Sequence, residues 1–396
     1  MGSYFLDISK YVKKKNSKED YKKTIKKINE KLERAYKMKI IQIMPTIAFG
    51  DAVSNDALAL MDILAGLGYE TAIYAENVDE RLNMKYIYRF KDLPRPKEKD
   101  VVIYHMSTGS GLAYQIESMN CRKIMIYHNV TPPLYFAGYS AVLCELTQKG
   151  VEQVKYLADK FDYCLADSEY NKQDLLEYGY TCPIDVLPII IPFEDYYKMP
   201  NQDIADLFGK DNNTNILFLG RIAPNKKQED IIAAFYQYKR YYNPTARLFL
   251  VGAHGGMEEY YARLQKYVLA LDLRDVYFTG HISFADILAY YQIADVFLCL
   301  SEHEGFCVPL VEAMLFDIPV IAYDAAAVKY TLNGAGVLLQ DKNPLLLAGW
   351  INRLIKDNTL KKQILQSQTN RLKSLQYEPI KEQFTNLLNR FLELAS

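Results

Sequence analysis

The sequence predicts an α/β protein of two doubly wound, parallel-sheet domains facing a central cleft. Three observations carry that prediction. From Lys39 onward, short β-rich runs alternate with longer helix-like runs, the mark of βαβ units. Residues 189–214 interrupt the rhythm with IIIPFEDYYKMP and a polar DNNT, as an interdomain connection does. The alternation then restarts and runs to residue 340. A chain of 396 residues also exceeds what one core usually organises.

In the first half the strands are KIIQIM (39–44), TAIYA (71–75), VVIYH (101–105), KIMIYH (123–128), DYCLAD (162–167) and IDVLP (184–188). A helix from about Ser54 to Leu67 follows the first of them and ends at Gly68. In the second half they are NILFLG (215–220), RLFLVG (247–252), DVYFTG (275–280), DVFLCL (295–300), IPVIAY (318–323) and GVLLQ (336–340). Most of these are continuous apolar runs, which fits burial on both faces of a sheet. The chain beyond about Pro344 reads as helical, with a break at Tyr377-Glu378-Pro379. The segment 189–214 and that break are the expected hinges.

Ahead of the first strand, residues 11–38 form an expected basic helix with one narrow stripe, Tyr21, Ile25, Ile28, Leu32 and Tyr36. It either packs on its own domain or rests peripherally on anionic lipid. Residues 10–39 hold thirteen Lys/Arg against four Asp/Glu, so the remainder is acidic by about ten charges. The net charge of −1 argues against a nucleic-acid partner. None of the six cysteines forms a C-x-x-C pair or a zinc-like spacing, which suits reduced thiols in a cytosol. No signal-peptide core and no run near ~18 apolar residues is present, so the expected location is cytoplasmic, or peripheral to the inner face of the membrane.

Candidate site residues fall at strand ends, where open α/β sheets bind ligands. In LFLGRIAPNKKQEDII (217–232), Arg221 and Lys226 stand between a Gly-ended strand and a helix. Two cations at a helix N-terminus suit a diphosphate. In SEHEGFCVPLVEAM (301–314), Glu304 lies in a loop and Glu312 one turn into a helix, with Gly305 between them and Pro309 in the first turn. The two carboxylates could accept bonds from sugar hydroxyls, while Glu302 is expected to be solvated. His128 and His105 both close first-domain strands and compete for one role. Gly50 allows backbone to approach a phosphate or sugar; Asp51 and Ser54 read as helix caps. There is neither a P-loop nor a G-x-G-x-x-G fingerprint.

Arg221, Lys226 and the E304-G305-F306…E312 element, preceded by the Gly50 loop and His128, resemble the retaining nucleotide-sugar glycosyltransferases of family 4 over roughly residues 39–390. The resemblance implies the GT-B fold, with an N-terminal acceptor domain (1–200), a C-terminal donor domain (210–378) and a last helix, 379–396, crossing back to the first. It implies transfer of a hexose from a UDP- or GDP-linked donor to a glycan, lipid-linked or protein-linked hydroxyl, with no cofactor and no metal. Arg221 and Lys226 would hold the diphosphate, Glu312 the ribose and Glu304 the donor sugar near its 3-hydroxyl. Gly305 and Phe306 would line the sugar pocket through their backbone. His128 would meet the sugar from the opposite domain, and Gly50 would lie under the phosphates or the acceptor. The base would stack near 251–254 and 280–282, which brings in His254 and His281. Phe49 stands where the family often has a second Gly, Lys329-Tyr330 where it often has Pro-Glu, and Asn129 where an acid often follows the His. Two other readings share this architecture: a nucleotide-sugar-binding, non-catalytic partner of a glycosyltransferase, and a nucleotide-sugar epimerase.

Overall fold

A computed structural model describes residues 38–82 and 85–394; the basic helix expected at 11–38 lies outside these, Met38 excepted. Two parallel sheets form the frame. The first has seven strands in the order β3-β2-β1-β4-β5-β6-β7. They are β1 (Lys39–Ile47), β2 (Glu70–Val78), β3 (Ile87–Arg89), β4 (Val101–Met106), β5 (Arg122–Tyr127), β6 (Tyr163–Ala166) and β7 (Ile184–Val186). The second has six, in the order β10-β9-β8-β11-β12-β13. These are β8 (Asn215–Leu219), β9 (Arg247–Val251), β10 (Val276–Gly280), β11 (Val296–Cys299), β12 (Val320–Tyr323) and β13 (Val337–Leu339). In each sheet the strand order reverses beside the first strand, so a crevice opens at the carboxyl ends of β1 and β4, and of β8 and β11.

The central strands explain their own burial. VVIYHM in β4 and VFLC in β11 are buried at every position, because helices cover both faces. The helix Ala52–Gly66 starts slightly before the expected Ser54: Asp51 Oδ2 accepts from the Ser54 amide at 2.9 Å, and Ser54 Oγ accepts from the Ala48 amide at 2.9 Å. Both residues therefore serve as caps and loop ties.

The connection 189–214 holds a 3-10 turn, Phe193–Tyr197, and a helix, Gln202–Phe208. One expectation needs correction. The break near Pro379 lies earlier, at 373–376, and Pro379 sits inside the first turn of the last helix, Tyr377–Glu393. An N-terminal turn tolerates proline because its amide has no helical partner anyway.

That last helix joins the first sheet. Ile380, Phe384, Leu388 and Phe391 are buried in one cluster with Ile103, Ile124, Tyr163 and Leu187. Each such side chain contributes about 1.5–3 kcal/mol of transfer free energy. Arg390 pairs with Asp185, and Arg122 donates to the Phe391 carbonyl. The segments after β5 reach the other way. Phe136 is buried in the second domain's core, with Tyr139, Leu143 and Cys144 packed against it.

Candidate active site

Strand order creates the central pair. β8 and β11 are hydrogen-bonded neighbours, so the loops that leave them lie side by side. The Glu302 amide donates to the Asn225 carbonyl at 2.8 Å, and Asn225 Nδ2 donates to the His303 carbonyl at 3.1 Å. This stitching brings Lys226 Nζ to 2.6 Å from both oxygens of Glu304, whose side chain is 8% exposed. Burial works against the Lys226 charge, but Glu304 outweighs it and holds the ammonium above its ordinary value. Arg221 anchors one guanidinium nitrogen on the Gly255 carbonyl at 2.8 Å. A cavity of about 150 Å³ between the domains is lined by Arg221, Asn225, Lys226, Glu304 and Gly305 from one side and by His128, Asn129 and Thr131 from the other.

The first domain contributes a buried hydrogen-bond chain. Gln42 Nε2 donates to the Ala57 carbonyl at 2.9 Å, which leaves Gln42 Oε1 to accept from His105 Nε2 at 2.8 Å. Burial and the neighbouring His128 push His105 well below its ordinary range, so His105 is neutral and its Nδ1 accepts. His128 Nε2 then donates across 2.9 Å, and His128 Nδ1 donates to Asp167 Oδ2 at 2.9 Å. The polarity set at Ala57 favours the protonated form of His128. Burial opposes that charge, yet Asp167, helped by Asp56, raises the group above its ordinary value. His105 and His128 are thus not competitors but links in one chain.

This geometry changes the part played by His128. Both ring nitrogens are committed, and the side chain is 1% exposed. The ring is turned into its own domain rather than toward the interdomain cavity, and it is the His128 carbonyl oxygen that faces Gly305. Asp56, beside the chain, accepts from the Ile190 amide at 2.9 Å and is pushed by burial up to about 7. Because the folded value lies above the ordinary 3.8, Asp56 contributes stability that is complete below that value and is lost as pH rises through about 7. Asp56→Asn is therefore expected to flatten the fall in stability between pH 5 and 7, by at most about 1.4 kcal/mol per pH unit. Melts of both proteins across that range check it, and equal slopes would disprove it.

Glu312 lies deeper, at the base of the helix Val308–Leu315. One oxygen accepts from Tyr291 at 2.5 Å and the other from Tyr196. Burial pushes the carboxyl up and the two tyrosines pull it down. Sequence reasoning missed Tyr196, which the connecting 3-10 turn carries in. Glu312 and Gly50 line a second cavity of about 250 Å³, together with Tyr196 and Ile190. Gly50 has φ of +76°, a conformation that glycine adopts without strain. Phe306 is buried in the second domain's core and its carbonyl accepts from Thr331, so it lines neither cavity. His254 stacks on Tyr261 with ring centroids 4.1 Å apart, and His281 is exposed; neither reaches the two cavities. Glu302 is not simply solvated, since Lys342 and Lys227 bind it at 2.5 and 3.3 Å.

The domains touch at the same loop. His303 Nε2 donates to Asn129 Oδ1 at 2.7 Å, and Asn129 Nδ2 donates to Asn171 at 2.9 Å and Asp174 at 3.0 Å. Burial pushes His303 down to about 4, so this contact is made by a neutral ring. Asn129 has φ of +73°, held there by these bonds. Two clusters bring possible metal ligands within 4.8 Å, Asp56/His105/His128 and Cys299/Glu304/Cys307. In the first, the ring nitrogens already bond each other and Asp167; in the second, Glu304 is held by Lys226.

With this geometry in hand, similarity to known proteins can be placed. Residues 201–371 match the family model described as glycosyl transferases group 1. The chain is 27% identical over 215 residues to an uncharacterized glycosyltransferase of Methanocaldococcus jannaschii, covering 52% of this chain and 53% of that one. It is 34% identical over 127 residues to a GDP-mannose-dependent alpha-mannosyltransferase of Mycolicibacterium smegmatis, covering 32% and 29%. These matches span about half the length of the curated relatives or less. The Anabaena protein HepE, in a crystal structure with UDP-glucose, superposes with a TM-score of 0.69 at 20% identity, covering 89% of this chain and 99% of that one. Among the described residues, no helix is long and apolar enough to cross a membrane. Two parallel-sheet α/β domains and these structural neighbours establish the GT-B fold, and the half that bears Arg221, Lys226, Glu304 and Glu312 is the half that matches glycosyl transferases group 1.

Proposed function

We propose that this chain is a retaining glycosyltransferase that moves a hexose from a UDP- or GDP-linked donor to a hydroxyl acceptor in glycan or polysaccharide synthesis. The observation that carries the reading is the Lys226–Glu304 pair beside Arg221 in an interdomain cavity, on a GT-B frame. The leaving diphosphate gains negative charge in the transition state. Preorganised cations aimed at it accelerate the step without reorganisation. Lys226 and Arg221 supply that charge, which makes a metal unnecessary.

Glu304 positions the sugar rather than attacking it. A carboxylate with both oxygens on one ammonium is a poor nucleophile, so the bonding of Glu304 supports same-face attack by the acceptor, with a donor phosphate oxygen taking the proton. Glu312 takes the ribose hydroxyls once Tyr196 yields its oxygen. The relatives named above include one that is GDP-mannose-dependent and one solved with UDP-glucose, which keeps both nucleotides as candidates.

A nucleotide screen by thermal melting tests this reading. UDP or GDP is expected to raise the melting temperature, by mass action on the folded state. The matching sugar nucleotide should then yield a glycosylated product of unchanged anomeric configuration, with chelator present. No shift with either nucleotide would sink the proposal, and an inverted product would sink its mechanism.

A further inference from the structure

A large cavity lies outside the donor site. It measures about 920 Å³ and lies on the first domain, lined by Glu76, Asn77, Arg89, Lys91, Arg95 and Gln115 among others. Its mouth is at the carboxyl ends of β2 and β3: Glu76 and Asn77 lie near the end of β2, and Arg89 ends β3. That is the same end of the sheet that carries the Gly50 loop and His128.

The cations stand on a fixed segment. Phe90 and Leu93 pack into the first domain's core, and Pro94 and buried Pro96 restrict the backbone around Arg95. The side chains of Arg89, Lys91 and Arg95 are exposed, and among the described residues they have no hydrogen bond or ion pair. Arg81, Arg247 and Arg390, by contrast, are each paired with an aspartate. Glu76 is the one carboxylate of the lining, so cations outnumber it three to one. Asn77, Gln115 and Ser118 supply neutral hydrogen-bonding groups, and Phe90, Leu93 and Met119 an apolar floor.

We propose that this pocket binds the acceptor through a phosphate group, gripped by Arg89 and Arg95, with the acceptor's hydroxyls meeting Glu76 and Asn77. Planar guanidinium groups bind such oxyanions in a bidentate way. The proposal rests on the glycosyltransferase reading, which puts the donor on the second domain and leaves this sheet end to the acceptor. The same chemistry is offered by a soluble phosphorylated acceptor and by an anionic lipid headgroup.

The test compares the full chain with Arg89→Ala/Arg95→Ala, two exposed changes that leave the core intact. The probes are sn-glycerol 3-phosphate against glycerol, by calorimetry, and phosphatidylglycerol against phosphatidylcholine vesicles, by cosedimentation. The expected result is binding to at least one phosphate-bearing probe that the variant loses by tenfold or more and that added salt weakens. Loss confined to glycerol phosphate assigns a soluble acceptor; loss confined to phosphatidylglycerol vesicles assigns a lipid one. Equal binding by both proteins, or none by the wild type, overturns the proposal. The melting shift with UDP or GDP is read in parallel on both proteins. If it is missing, the donor reading fails, whatever the anion result.

Discussion

Lys226→Ala is expected to lower turnover by about two to three orders of magnitude, the range seen when one preorganised donor to a developing anion is removed. The effect has two sources, and they separate experimentally. The first is loss of positive charge at the proposed diphosphate site. The second is that Glu304, only 8% exposed, keeps a carboxylate with no cation within 3 Å. Breaking one side of a buried pair costs about 3–5 kcal/mol, although the partial exposure of Lys226 discounts that figure here. Lys226→Ala should therefore also lower the melting temperature, and Lys226→Ala/Glu304→Gln should recover stability without recovering turnover. Steady-state rates and melts of the two variants decide the matter. Wild-type turnover in Lys226→Ala would show that the diphosphate is held elsewhere.

The residues of this site were legible in the sequence one at a time, but their partnerships were not. Apolar runs such as VVIYH and DVFLCL announced the strands, because a strand covered on both faces is mostly apolar, with buried exceptions such as His105 and Gln42 bonding each other. Strand β3 escaped notice: three residues, Ile87-Tyr88-Arg89, flanked by Tyr86 and Phe90 show no usable alternation. Lys226 and Glu304 stand 78 positions apart and meet only because β8 lies beside β11, a strand order that no local pattern encodes. The chain Gln42–His105–His128–Asp167 has the same character, since each member sits on or just beyond a different strand of the first sheet. Tyr196 was hidden for another reason. It comes from a connection read as irregular, and only the fold of that connection points its hydroxyl at Glu312.

Gly305→Ala is expected to cut turnover by about a hundredfold or more while leaving nucleotide affinity nearly unchanged. A Cβ at Gly305 would lie 2.6 Å from the His128 carbonyl oxygen and 2.8 Å from Asn129 Cβ, closer than real Cβ atoms come to any neighbour. Neither obstacle is the loose end of a side chain. The His128 backbone follows β5 directly, and Asn129 is fixed by hydrogen bonds to His303, Asn171 and Asp174. One methyl group must therefore hold the two domains apart at the point where they meet. Misplacing reacting groups by ~1 Å can cost about a hundredfold in rate, and an open cleft also admits water. Arg221, Lys226 and Glu312 all belong to the second domain, so the nucleotide should still bind and still raise the melting temperature. The informative readout is that split, a large loss in kcat with a nucleotide Kd within a few-fold of wild type, together with a larger radius of gyration in solution scattering. A variant that closes and turns over like the wild type would mean that the contact between Gly305 and His128 is not part of the active arrangement.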